Sequence, residues 1–287
     1  MAATAPVSWL GTGRPAVPYG RRVELPGRGR TFVREIPGPP GAPTVLLLHG
    51  WVATGALNWF QVFEPLSQHF RVIAPDTRGH GRGLRTRDVF RLSDCADDYG
   101  VLIDEMGTGP VIAVGYSMGG PSAQLLWRRH RDLVSGLVLC ATSAGFFPDR
   151  ATRLSYQAAM FTMAGAARAA AVTGVFSALP MVPVPKGTLP LWAAREARRH
   201  DWRMVIEAGH SVGTFRSQRW IGEIDVPTSV VCTAADRAVP RDLQLGAADA
   251  IPGATVHYVD DGHMACANPA FADPVVRACL DVASRIG

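Results

Sequence analysis

Two kinds of hydrophobic pattern alternate along the chain. Short, predominantly apolar runs at 45–48, 70–74, 111–114, 137–140, 230–233 and 255–259 show the pattern of buried strands. Between them lie segments of helical length. Residues 58–69 set Phe60, Phe63 and Leu66 three apart and predict one amphipathic helix. Residues 93–106 open on Ser93-Asp94, suited to an N-cap, and 118–130 and 268–286 also read as helices. Ahead of the first buried run, alternating stretches at 21–25 and 30–36 flank Pro-Gly-Arg-Gly and predict an antiparallel hairpin. Strands alternating with helices predict an α/β fold with a mostly parallel, doubly wound sheet. The strand signal stops near Thr142 and resumes near Pro227, with only helical or irregular patterns between. The expected organisation is a core of residues 1–143 and 223–287, with residues 144–222 a helical cap inserted after the sixth strand. No internal repeat is visible.

Composition narrows the class. A chain of 287 residues that is 47% hydrophobic and 18% charged can bury a substantial core and carries too little charge for disorder. Its 30 glycines and 22 prolines lie scattered between apolar runs, which excludes collagen and low-complexity architectures. No uncharged apolar run reaches the roughly 18 residues of a membrane span, so no integral span is expected. The formal charge is +5, with Lys186 the only lysine. The arginines are spread along the chain, and the runs at 128–131 and 195–199 read as solvated helix faces, so a nucleic-acid partner is not expected. Cys95, Cys140, Cys232, Cys266 and Cys279 form no CxxC pair and read as buried thiols of a reducing compartment. The first residues lack a basic stretch followed by an apolar one, and a cytoplasmic protein is the expectation.

The sharpest chemical signal is Gly115-Tyr116-Ser117-Met118-Gly119, a G-x-S-x-G placed between a strand and a helix. A side chain on so sharp a turn has strained backbone angles and needs small neighbours. Ser117 is thus a candidate nucleophile; the bland alternative is a glycine-rich helix entry with a surface serine. A serine needs a base, and the base needs an orienting carboxylate. His263 follows the strand 255–259 in Asp260-Asp261-Gly262-His263, and Asp236 follows the strand 230–233, so both loops face the cleft of Ser117. The oxyanion donors expected are the backbone N–H of Met118 and that of Trp51, with His49 a structural hydrogen-bonding group. The candidate substrate contacts are Trp51, Tyr116, Met160, Phe161 and Phe176. Met160 and Phe161, with Met163, Phe176, Leu179 and Met181, either line an apolar acyl pocket or form the packing of the cap itself. No ligand set has zinc spacing, and neither metal nor organic cofactor is expected.

Leu48-His49-Gly50-Trp51, Asp76-Thr77-Arg78-Gly79-His80-Gly81, the Ser117 turn, Asp236 and Asp261-Gly262-His263 follow one another in an order that resembles the α/β-hydrolase superfamily, in its serine esterase and lipase branch. Tyr116-Ser117-Met118-Gly119-Gly120 is similar to the turn of haloperoxidase-like esterases. The resemblance implies an α/β-hydrolase fold, and a structural turn at residues 76–81. Asp76 and His80 are then scaffold, with His80 the fallback base. Serine in place of aspartate at the turn argues against dehalogenase and epoxide hydrolase chemistry. The implied reaction is hydrolysis of a small-molecule carboxylic ester with an apolar, small-to-medium acyl part. The alternatives are carbon–carbon bond hydrolase, lactonase, acyltransferase, and cofactor-free haloperoxidase or perhydrolase. From another class comes a non-catalytic hydrolase-like binding protein, which would have no need of three groups in register.

Overall fold

Each buried apolar run becomes a strand because its residues must be covered on both faces. In the computed structural model, which describes residues 15–147, 149–172 and 188–287, β1 (Gly20–Leu25) and β2 (Gly29–Ile36) form the expected antiparallel hairpin. The strands β3 (Thr44–Leu48), β4 (Arg71–Pro75), β5 (Val111–Tyr116), β6 (Val134–Cys140), β7 (Thr228–Thr233) and β8 (Thr255–Val259) follow. The sheet order is β1-β2-β4-β3-β5-β6-β7-β8, parallel from β4 onward. The chain leaves β3 for β4 on one side and returns to β5 on the other. The strand order therefore reverses between β3 and β5, where Leu48 pairs with Gly115, and a doubly wound sheet opens its crevice there.

Alternation along β3 assigns the two layers. Val45 and Leu47 pack with Trp59, Phe63, Leu66 and the C-terminal helix α9 (Ala272–Ser284). Leu46 and Leu48 face the opposite layer, with Leu102 and Ile103 of α3 (Leu92–Met106) and Leu126 and Trp127 of α4 (Gly119–Arg129). Each fully buried leucine contributes about 1.5–3 kcal/mol relative to exposure. The five cysteines are buried and unpaired in these layers.

Two local expectations are corrected. The single helix over 58–69 is two short ones, α1 (Gly55–Trp59) and α2 (Phe63–Ser67). Pro65 has no N–H to donate and falls in the first turn of α2, where none is required. Thr54 starts α1 by accepting from the Leu57 N–H at 3.1 Å. Ser93-Asp94 does not cap α3: the helix begins at Leu92, whose N–H donates to Ser211 Oγ at 3.2 Å, so a residue distant in sequence supplies the cap.

Between β6 and β7 the described residues carry the helices α5 (Arg150–Val172), α6 (Thr188–Ala197) and α7 (Trp202–Thr214) and no strand. Helix α5 lies on α7, tied by Tyr156 Oη to Gly209 O at 3.2 Å, Gln157 Nε2 to Gly213 O at 2.9 Å and Arg168 Nε to Glu207 Oε1 at 2.6 Å. Among the described residues no helix is long and apolar enough to cross a membrane.

Candidate active site

Ser117 follows the last residue of β5 with φ +50°, a left-handed conformation that costs a non-glycine residue about 1–3 kcal/mol. The turn is held by Ser117 N–H to Cys140 O at 3.0 Å, Gly120 N–H to Ser117 O at 2.9 Å and Thr142 Oγ1 to Ser117 O at 2.9 Å. Its tightness demands glycine on either side. A Cβ on Gly115 would sit 2.3 Å from Gly119 O, and one on Gly119 would sit 2.0 Å from Leu48 O. Ser117 Oγ lies 2.9 Å from His263 Nε2, and His263 Nδ1 lies 2.7 Å from Asp236 Oδ2. Asp236 comes from the loop after β7 and His263 from the loop after β8, so three strand ends converge. Asp236 Oδ2 also accepts from Thr233 Oγ1 at 2.8 Å, while Oδ1 accepts the Ala238 and Val239 N–H groups at 2.8 and 2.9 Å. Burial alone would push this carboxyl up; the hydrogen bonds from His263, Val239 and Thr233 outweigh it and hold it below the ordinary carboxylate value. An ionised Asp236 makes Nδ1 of His263 the donor, which leaves Nε2 free to accept from Ser117.

The residues 50–53 form a tight turn beside Ser117: a Cβ on Gly50 would meet Ser117 Cβ at 3.4 Å. Gly50 N–H donates to Asn58 Oδ1 at 2.8 Å. Among the described residues, neither the Trp51 nor the Met118 backbone N–H has a hydrogen-bond acceptor. The Met118 side chain is buried in the core beneath. His49 accepts the Thr77 N–H on Nε2 at 2.9 Å and donates from Nδ1 to Gly50 O at 2.8 Å; burial pushes its pKa down to about 4, and it stays neutral. His80 is fully buried, and desolvation, reinforced by His49 and His200, holds it well below the usual imidazole value. Asp76 accepts the Gly55 and Arg82 N–H groups, each at 2.9 Å, as a scaffold residue does.

Residues 43–269 match the family described as the alpha/beta hydrolase fold. The chain belongs to the alpha/beta hydrolase family. Relatives include the magnesium-chelatase 30 kDa subunit of Rhodobacter capsulatus, 28% identical over 79% of this chain and 82% of that protein. The poly(3-hydroxyalkanoate) depolymerase of Ectopseudomonas oleovorans is 28% identical over 85% of this chain and 86% of that protein. A thermophilic esterase from Thermogutta terrifontis superposes with a TM-score of 0.70 at 23% identity, over 93% of this chain and 99% of the other, a likeness of fold.

In this hydrolase the expected substrate contacts separate. Trp51 reaches α7, its Nε1–H donating to Val205 O at 2.7 Å, and its ring and the Met160 methyl both lie against Gly209. Phe161 does not join them. One residue further along α5 is rotated about 100° from Met160, and its ring stands 70% exposed near His210. Tyr116 lies beneath the site rather than in the cleft. The period of two along β5 puts it with Ile112 and Val114, against Trp59 and Phe271, where its Oη–H donates to His263 O at 2.7 Å. Phe176, Leu179 and Met181 lie outside the described residues. Thr233, with its bond to Asp236, escaped the sequence reading, although its place three residues before a strand-end aspartate is a local signal. Among the described residues no group of three His, Cys, Asp or Glu could hold a metal ion. A cavity of about 510 Å³ between the β1–β2 turn, residues 84–91 and the end of α5 lies apart from Ser117; its Arg28 and Arg78 share Asp98 as an ion-pair partner, and Arg78 also pairs with Asp94.

Proposed function

We propose that this hydrolase cleaves carboxylic esters with an apolar, small-to-medium acyl part, through an acyl-enzyme on Ser117. The observation that carries this reading is the unbroken chain from Ser117 Oγ to His263 to Asp236, with both hydrogen bonds at 2.9 Å or less. His263 Nε2 takes the Ser117 proton as Oγ attacks the ester carbonyl, and the negative charge moves to the carbonyl oxygen. The Trp51 and Met118 N–H groups, unpaired beside Ser117, receive that oxyanion. As the tetrahedral intermediate collapses, His263 returns the proton to the leaving alcohol. Water then enters, gives a proton to Nε2 and bonds to the acyl carbon; as that second intermediate collapses the Oγ–carbon bond breaks, His263 returns the proton to Ser117 Oγ and the acid leaves. Asp236 keeps the ring in the productive tautomer and stabilises the imidazolium in both halves. The apolar preference is supported by Trp51 and Met160, whose side chains both lie against Gly209 of α7. The match to a poly(3-hydroxyalkanoate) depolymerase over most of both chains is in keeping with it.

The test is hydrolysis of p-nitrophenyl esters from acetate to long acyl chains by wild type and Ser117→Ala. Turnover with an optimum at short or medium chains, lost in Ser117→Ala by a factor on the order of 10⁴ or more, is expected. A folded wild type that turns over none of the series overturns the reading.

A further inference from the structure

We infer that His200, carried by the cap, is a positioning residue for the oxyanion turn: it holds the Val52 carbonyl and thereby sets the Trp51 N–H. The inference rests on the ester-hydrolysis reading for its kinetic consequence and on geometry for the latch itself. The turn closes with Ala53 N–H on Gly50 O at 3.4 Å, and Val52 is its third residue, at φ +58°. Turns with a positive φ at that position ordinarily place glycine or asparagine there. A β-branched residue so strained persists only when its surroundings over-determine it.

Among the described residues, hydrogen bonds from the core reach only the first residue of the turn. Gly50 is held by Asn58 through its N–H and by His49 through its carbonyl. The next two are held by the cap: the Trp51 indole on Val205 O, and the Val52 carbonyl 3.3 Å from His200 Nε2. His200 can be only a donor there. Its Nδ1 receives the Gly81 N–H at 2.8 Å, and a backbone N–H cannot accept, so the neutral ring carries its proton on Nε2. Burial, the largest cause, pushes its pKa down to about 4, which keeps the ring neutral. The ring makes edge contacts with both His80 and Trp202, each with ring centroids 5.4 Å apart. Its segment is clamped to the scaffold turn by Asp201 N–H on Gly79 O at 2.8 Å and Arg85 on Arg199 O at 2.5 Å. One imidazole thus relays the position of Gly81 to Val52, and a displaced cap would release the turn to relax.

The experiment compares His200→Leu, His200→Gln and the double variant Val52→Gly/His200→Leu. Readouts are kcat and KM on a p-nitrophenyl ester and amide hydrogen exchange at residues 51–53. His200→Leu is expected to lower kcat about tenfold or more, with KM within about twofold, and to speed exchange in the turn. His200→Gln, which can accept from Gly81 and donate to Val52, keeps kcat within about threefold. The double variant recovers most of the loss, since glycine adopts φ +58° without the strain that the latch must otherwise oppose. Should His200→Leu fail to fold, His200→Ser is too short to span Gly81 and Val52 and serves in its place. An unchanged kcat, or a loss that Val52→Gly does not recover, overturns the latch. If wild type turns over no ester, the functional reading has failed instead. The latch is then read by exchange alone, and an unchanged rate at residues 51–53 refutes it.

Discussion

Asp236→Asn changes almost no volume, yet the hydrogen bonds around the carboxylate dictate a large effect. Oδ1 accepts two backbone N–H groups, and Oδ2 accepts His263 Nδ1–H and Thr233 Oγ1–H. An amide has a single acceptor oxygen. Backbone N–H groups cannot reverse their role, so that oxygen stays with Ala238 and Val239, and the amide nitrogen takes the place of Oδ2. Thr233 can rotate its hydroxyl and accept. His263 can adapt only by moving its proton from Nδ1 to Nε2, where it points at Ser117 Oγ 2.9 Å away. The ring can then no longer take the serine proton. The expected loss is on the order of 10⁴ in kcat, or about 5–6 kcal/mol of transition-state stabilisation. Stability changes little, because nearly every hydrogen bond is replaced. The assay is steady-state hydrolysis of a p-nitrophenyl ester near pH 8, alongside a thermal melt. A folded Asp236→Asn that keeps more than about a tenth of kcat would refute the tautomer argument and the role of Asp236 with it.

In Gly119→Ala the added Cβ meets Leu48 O at 2.0 Å, a backbone atom one residue before His49 and the turn at 50–53. Relief of that clash moves the Trp51 and Met118 N–H groups proposed to receive the oxyanion, so kcat should fall by about 10² or more, with a stability loss of about 1–3 kcal/mol in a melt; near-wild-type kinetics contradict the packing account. The buried histidines make stability fall in mild acid. His49 and His200 ionise only near pH 4, burial being the main cause, whereas the unfolded chain takes up those protons near pH 6.5. The unfolded state therefore binds more protons between these values, and stability present above pH 6.5 is lost towards pH 4, by about 3 kcal/mol for each histidine. A melting midpoint that stays level from pH 7 to 4.5 would show that these rings are not buried neutral.

Much of this molecule is local, and what is local was readable in the chain. Strands such as 111–116 declare themselves because a segment covered on both faces must be apolar throughout, whatever its neighbours are. The Ser117 turn is legible because its strain admits only glycine at positions 115 and 119, a constraint written in residue type. Its relation to Asp236 and His263 was inferable from their places after strands, since parallel strands deliver their following loops to one edge. Contacts between distant segments were not readable. Two short helices in place of one, and a cap for α3 supplied by Ser211, depend on which segment happens to lie alongside. Tyr116 looked like a cleft residue from its neighbour Ser117, and the pleat turned it into the layer beneath. His200 sits at the end of an arginine-rich run with nothing to distinguish it from a solvated helix end. Its bonds to Gly81 and Val52 join positions 119 and 148 residues away, and such partnerships arise only when the segment between α6 and α7 is folded against the sheet edge.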